Sequence, residues 1–313
     1  MRDSPDISIK DWLMVAALGL TWGGTFLVIE LALEGITPFW LAAARIGFAA
    51  LLMCLIWRVM GGKLWRVPEV GPAAWGQLLT VGLLSSAVPF MLLSWGQQYV
   101  TSGFAGVSMA AVALIVLPLA HFLVPGERMT LRRALGFVIG FVGVVILIGG
   151  QAFEATGAAL ETPGRLACLG AAACYAISSV TLRRMPEIDP IGVSAILLVI
   201  GAIVVIPTAW IVEGPPPLPD LRTILILAFL GLVPTAAANL LRTLVIQSAG
   251  PVFMSLVNYQ VPVWSVVLGA LILSEPLPSS LLLALTLILA GVGLSQYGAL
   301  KRLFSRMTRS ARH

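Results

Sequence analysis

The residues able to do chemistry in this chain are few, and most stand inside long apolar runs. Trp22 and Thr25 lie three apart, which puts them on one helical face where both can meet a ligand. Tyr175 and Ser178 repeat that spacing. Asn239, Arg242, Asn258 and Tyr259 add amide, cationic and phenolic groups. Hydroxyls and amides can hydrogen-bond an ammonium or a carboxylate, and aromatic faces can hold an apolar side chain or a cation. This is binding chemistry rather than catalysis. His121 is the only histidine before the terminal His313, and Ser108 stands thirteen residues away, about 20 Å of helix and too far for activation. Cys54, Cys168 and Cys174 have no histidine at metal-ligand spacing, and no GxxxxGK[ST] loop is present for ATP. No catalytic residue, metal site or cofactor is expected, and the chain does not read as an enzyme.

The elements that must position these residues are membrane helices. Of 313 residues, 59% are hydrophobic and 11% charged, against about 25% charged in a soluble domain. The apolar residues come in continuous blocks of a length that crosses a hydrocarbon core of about 30 Å as helix, without the alternation of barrel strands. Ten blocks can be drawn, at 12–34, 38–60, 73–95, 100–123, 131–149, 164–184, 190–212, 221–247, 250–273 and 279–299. The fold class expected is an all-α integral membrane protein of ten transmembrane helices. The net charge of +5 is spread over short connections, so there is no basic face for nucleic acid.

Placing both termini in the cytoplasm puts fifteen of the nineteen basic residues on the inner side, as the positive-inside rule requires. Arg165 and Arg222 fall outside, and Arg45 and Arg242 within helices. The halves also resemble each other. Trp22-Gly23-Gly24-Thr25 matches Tyr175-Ala176-Ile177-Ser178, and Gly82-Leu83-Leu84 with Pro89 matches Gly231-Leu232-Val233-Pro234. Five helices repeated once must enter from opposite faces, which sets an inverted repeat with a site between the copies near mid-membrane. The domains are a cytoplasmic N-terminus at 1–11, a first repeat at 12–150, a second at 164–299 and a basic cytoplasmic tail at 300–313.

These features resemble the drug/metabolite transporter superfamily, in its ten-helix type with two EamA-like repeats. The residues that carry the resemblance are Trp22 to Phe26, Pro38 followed by Arg45, Gly126 to Thr130, and Pro262-Val263 followed by Ser274-Glu275-Pro276. The halves are not equivalent throughout: Leu114 stands at the counterpart of Pro262, and Leu197 at that of Arg45. The resemblance implies a multi-pass protein of the bacterial inner membrane that exports a small molecule. The aromatic-rich character looks most like exporters of aromatic and neutral amino acids. Drug or cation carriers, nucleoside or nucleotide-sugar carriers, and a flippase or channel of the same architecture are the alternatives. The partners expected are a small-molecule substrate and the lipid bilayer, with no nucleic acid and no ATP, in a monomer or a homodimer.

Two arginines and two helices need separate readings. Arg45 and Glu30 lie at similar depth in neighbouring helices, so a structural ion pair is expected, with substrate contact by Arg45 as the second reading. Arg242 either snorkels or binds a substrate carboxylate. Glu30 is the one deep acid, which makes facilitated flux down a gradient the simpler expectation. Gly103, Gly106 and Pro118 in the fourth helix, and Gly250, Pro251 and Pro262 in the ninth, are expected hinges. Gly136, Gly140 and Gly143 have the spacing of close helix packing, as scaffold or as a dimer contact.

Overall fold

A computed structural model describes residues 8–67, 69–124, 129–149 and 160–310. Among these the regular structure is helical, apart from one isolated bridge between Trp65 and Ile188. We number the helices α1 (Ile9–Leu33), α2 (Pro38–Val59), α3 (Pro72–Gly96), α4 (Ser102–Leu123), α5 (Leu131–Gly149), α6 (Glu161–Arg183), α7 (Pro190–Glu213), α8 (Leu221–Ser248), α9 (Val257–Leu273) and α10 (Ser279–Ser310). Among the described residues, α1–α4, α6–α8 and α10 each contain a stretch long and apolar enough to cross a membrane. A single turn, Pro251–Met254, precedes α9. Exposed Leu, Ile and Val side chains cover the outer surface, as lipid-facing helices require.

Local chemistry explains the helix starts. Ser8 and Asp11 form a reciprocal capping box, so α1 begins at Ile9, inside the stretch expected as a polar terminus. Proline occupies the first turn of α2, α3 and α7, where its missing N–H costs nothing. At the other terminus α10 continues to Ser310, through most of the segment expected as a tail. Gly126, Glu127 and Arg128 lie outside the described residues.

The helix pairings come in matched couples. α1 packs on α9 as α6 packs on α4, and α3 meets α6 as α8 meets α1. α2 meets α8 as α7 meets α3, while α2–α7, α4–α9 and α5–α10 are their own counterparts. Exchanging α1–α5 for α6–α10 maps this set onto itself. Gly136 and Gly143 allow the close α5–α10 approach: a Cβ at Gly136 would lie 2.5 Å from the Gly291 carbonyl oxygen, and one at Gly143 2.8 Å from Ile288. These glycines therefore serve contact within the chain. Gly140 faces Leu114 of α4 in the same way.

The connections clasp each other at two opposite ends. Where α1 runs into α2, Glu213 of α7 accepts hydrogen bonds from Thr37 Oγ1 (2.6 Å), Phe39 N (3.0 Å) and Trp40 N (3.1 Å), satisfying open N–H groups of α2. Where α2 runs into α3, the Trp65–Ile188 bridge and the Arg66–Asp189 ion pair at 3.1 Å tie two connections together.

Candidate functional site

The site begins with two prolines. A proline inside a helix has no N–H to donate, and its ring collides with the carbonyl four residues back. Both α3 and α8 respond by widening into a π-helical turn, at Leu83–Ala87 ahead of Pro89 and at Gly231–Ala237 around Pro234. Widening frees backbone carbonyls in mid-helix, and each must find another donor. Thr235 Oγ1 donates to Leu230 O at 2.8 Å, and Ser86 Oγ lies 2.7 Å from Gly82 O.

Other helices use the remaining groups of these turns. Trp22 Nε1 of α1 donates to Pro234 O at 2.9 Å. Within α8 itself, Asn239 Nδ2 donates to Thr235 O at 2.5 Å. Arg45 Nε of α2 donates to Thr235 Oγ1 at 2.8 Å, and its guanidinium lies 4.1 Å from the Phe90 ring centroid. Tyr175 of α6 is near enough for its hydroxyl to interact electrostatically with Arg45. The counterpart contact joins Ser86 Oγ of α3 to Leu197 O of α7 at 2.9 Å. Each π turn thus offers a hydroxyl to the second helix of the other half, and only one of those helices carries a charge there.

Of the residues expected at a binding site, Trp22, Tyr175 and Asn239 belong to this group. Thr25 is buried and donates to Thr21 O at 2.9 Å, and Ser178 is buried with its hydroxyl on Tyr175 O at 3.0 Å. Arg242 is exposed, with no hydrogen bond among the described residues, about 10 Å of helix beyond Thr235. Asn258 is exposed. Tyr259 turns to α10, donating to Val292 O at 3.3 Å, and so supports the scaffold. Thr235 and Phe90 were not anticipated; the Gly231-Leu232-Val233-Pro234 match was the signal that could have found Thr235.

The expected Glu30–Arg45 ion pair does not form. Arg45 turns toward α8 because the widened turn presents a hydroxyl there, whereas Glu30 lies beside the Gln97 side chain and in electrostatic range of Glu275. Gln97 is 1% exposed and donates Nε2 to Phe26 O at 2.9 Å. Glu275 caps the start of α4, accepting from Ser102 N (2.7 Å) and Gly103 N (3.0 Å). That gives the Ser274-Glu275-Pro276 motif a structural task.

The expected hinge positions also divide. Gly103 and Gly106 are places of close approach between α4 and α9; a Cβ at Gly106 would sit 1.8 Å from Ser265 Oγ. The interruption of α4 falls at Ala110, with Pro118 inside the next helical stretch. The second interruption follows Gly250, at φ +86°, and Pro251, with Ser255 and Leu256 breaking the helix before buried Pro262. An apolar groove of about 330 Å³ lies elsewhere, against Trp40, Phe48, Ile206 and Pro216. No charged side chain lines it, so it has no means of orienting a polar metabolite.

Comparison with known proteins agrees with this architecture. The model of the EamA-like transporter family matches residues 10–149 and again 162–296. YoaV of Bacillus subtilis (strain 168), described as an uncharacterized transporter, is 24% identical over 291 residues, covering 92% of this chain and 97% of its own. YedA of Escherichia coli (strain K12), described as an uncharacterized inner membrane transporter, is 28% identical over 288 residues, covering 90% and 89%. A crystal structure at 20% identity shares the fold with a TM-score of 0.65, over 93% of this chain and 98% of the other. With two family matches spanning nearly all of a multi-pass helical chain, the protein belongs to the EamA-like transporter family and is a membrane transporter rather than an enzyme.

Proposed function

We propose that this protein exports a small metabolite, an aromatic or neutral amino acid, by alternating access through a cavity between two inverted five-helix halves. The observation that carries this reading is the meeting of Trp22 and Arg45 on the widened turn of α8, with Tyr175 in electrostatic range of Arg45, so that polar groups from both halves converge far from the helix ends. The matched pairings and the double family match support the halves, and the distribution of basic residues supports ten spans with both termini cytoplasmic. The E. coli relative described as an inner membrane transporter supports the inner membrane as its location. The interruptions at Ala110 and at Ser255–Leu256 supply two places to bend, one in each half. The test is reconstitution of the purified protein in liposomes loaded with unlabelled amino acids. Saturable uptake of labelled amino acid, stimulated by counterflow and independent of a pH gradient, is expected. Flux that rises linearly with concentration and ignores the trans substrate would make it a channel, and a required gradient would sink the passive mechanism.

A further inference from the structure

Arg45 is a buried cation with no anion paired to it among the described residues. It is 7% exposed, and the ion pairs seen among the described residues, Arg66–Asp189, Arg165–Glu161 and Arg222–Glu34, all lie near helix ends and none includes it. An uncompensated guanidinium within a membrane span is expensive, and such charges face a cavity and mark a substrate path. Arg45 is also held in one orientation. Thr235 fixes Nε, and the Phe90 ring fixes the plane.

What remains of the guanidinium is its outer edge. Neither Nη group has an acceptor among the described residues, yet neither is among the buried atoms sealed from access, as Glu30 Oε2 and Gln97 Oε1 are. Tyr175 packs against the same cluster as Phe90, in electrostatic range of Arg45, and its hydroxyl likewise has no partner among the described residues and is not sealed off. A rigid, accessible fork of two donors beside a phenol is complementary to a planar pair of oxygens.

We propose that Arg45 is the substrate-recognition residue of this carrier and takes a monocarboxylate end-on through its two Nη groups, with the Tyr175 hydroxyl donating to the same carboxylate. This rests on the carrier reading above and names the class of molecule carried. The single charge selects a monoanion. The counterpart position is Leu197, and Arg242 stands exposed well beyond Thr235, so a phosphate of about −1.5 to −2 charge would remain under-neutralised. Phe90 against the guanidinium and Trp22 on the same widened turn are aromatic faces that suit an aliphatic or aromatic remainder.

The experiment compares matched ligands on the full-length protein in nanodiscs, by thermal shift and tryptophan fluorescence. The probes are the neutral and aromatic L-amino acids, each beside its amide, with acetate, benzoate, tryptamine, inorganic phosphate and AMP. At least one carboxylate is expected to bind, and its amide to bind roughly tenfold or more weakly. Arg45→Gln should abolish that discrimination and Arg45→Lys should keep part of it, because a point charge cannot form the fork. The acid–amide comparison uses the wild-type protein, so it decides even if a variant does not fold. An amide or amine that binds as tightly as its acid overturns the proposal. So does preference for phosphate or AMP, a panel in which no carboxylate binds, or unchanged discrimination in Arg45→Gln. A carboxylate that binds with this selectivity but shows no counterflow would instead overturn the carrier reading and leave the recognition site standing.

Discussion

Thr235 shows how a single hydroxyl decides the arrangement of the site. Its oxygen donates to the carbonyl that Pro234 leaves open and accepts from Arg45 Nε, so its loss strands both groups. Thr235→Val is expected to lower stability by about 1–3 kcal/mol and to weaken substrate binding, read as a lower Tm and a higher half-saturation in counterflow. Trp22→Ala should reduce transport while expression remains near normal; a wild-type rate would remove Trp22 from the site. Asp189 allows a prediction in pH. Burial pushes its carboxyl up, but the Gly192 N–H, the Arg66 guanidinium and the Ile191 N–H outweigh burial and hold it below the ordinary carboxylate range. A depressed folded value contributes stability above the unfolded pKa of about 3.9, and that contribution is lost as pH falls through the folded value. Asp189→Ala should therefore cost about 1 kcal/mol in thermal unfolding at neutral pH, with the gap to wild type closing in acid.

Helices in this protein are shaped by where they are interrupted. Pro89 and Pro234 were legible in the sequence as prolines following the matched Gly82 and Gly231 runs, but a widened turn depends on how the helix relieves the clash, and neighbouring side chains such as Ser86 and Thr235 settle that. Pro262→Ala is expected to change turnover more than substrate affinity, because the interruption at Ser255–Leu256 lies beyond the binding group; a pure affinity change would count against bending there. Two glycines give a paired test. Gly106 is pressed against Ser265, so Gly106→Val should destabilise the protein by at least about 1–3 kcal/mol. Gly293 in α10 has open space around it, so Gly293→Ala should be neutral or stabilising by up to about 1 kcal/mol in the same melting assay.

Across the whole molecule, pairing of each helix with the counterpart of its partner's partner produces a structure in which the two halves complete one another. Neither half alone holds the proposed site: Arg45 and Phe90 come from the first, Thr235 and Tyr175 from the second. Reporter fusions at the two termini should both report the cytoplasm. A reporter in the connection after Glu213 should report the opposite side, since that residue clasps the α1–α2 connection.

The membrane character, the internal match and the family were legible in residues alone, because block length, hydropathy and motif order are local properties of the chain. So was the asymmetry between Arg45 and Leu197. The partner of Arg45 was not legible. Glu30 was available at similar depth, and the sequence favoured that opposite charge in the adjoining helix. The choice fell to Thr235 because α2 packs against α8, and the turn widened by Pro234 turns its hydroxyl to Arg45. Which side chains face each other across a bundle depends on helix rotation and crossing, set by packing among all neighbours at once. That left the guanidinium without a counter-ion, and this tertiary outcome is what points to the carboxylate.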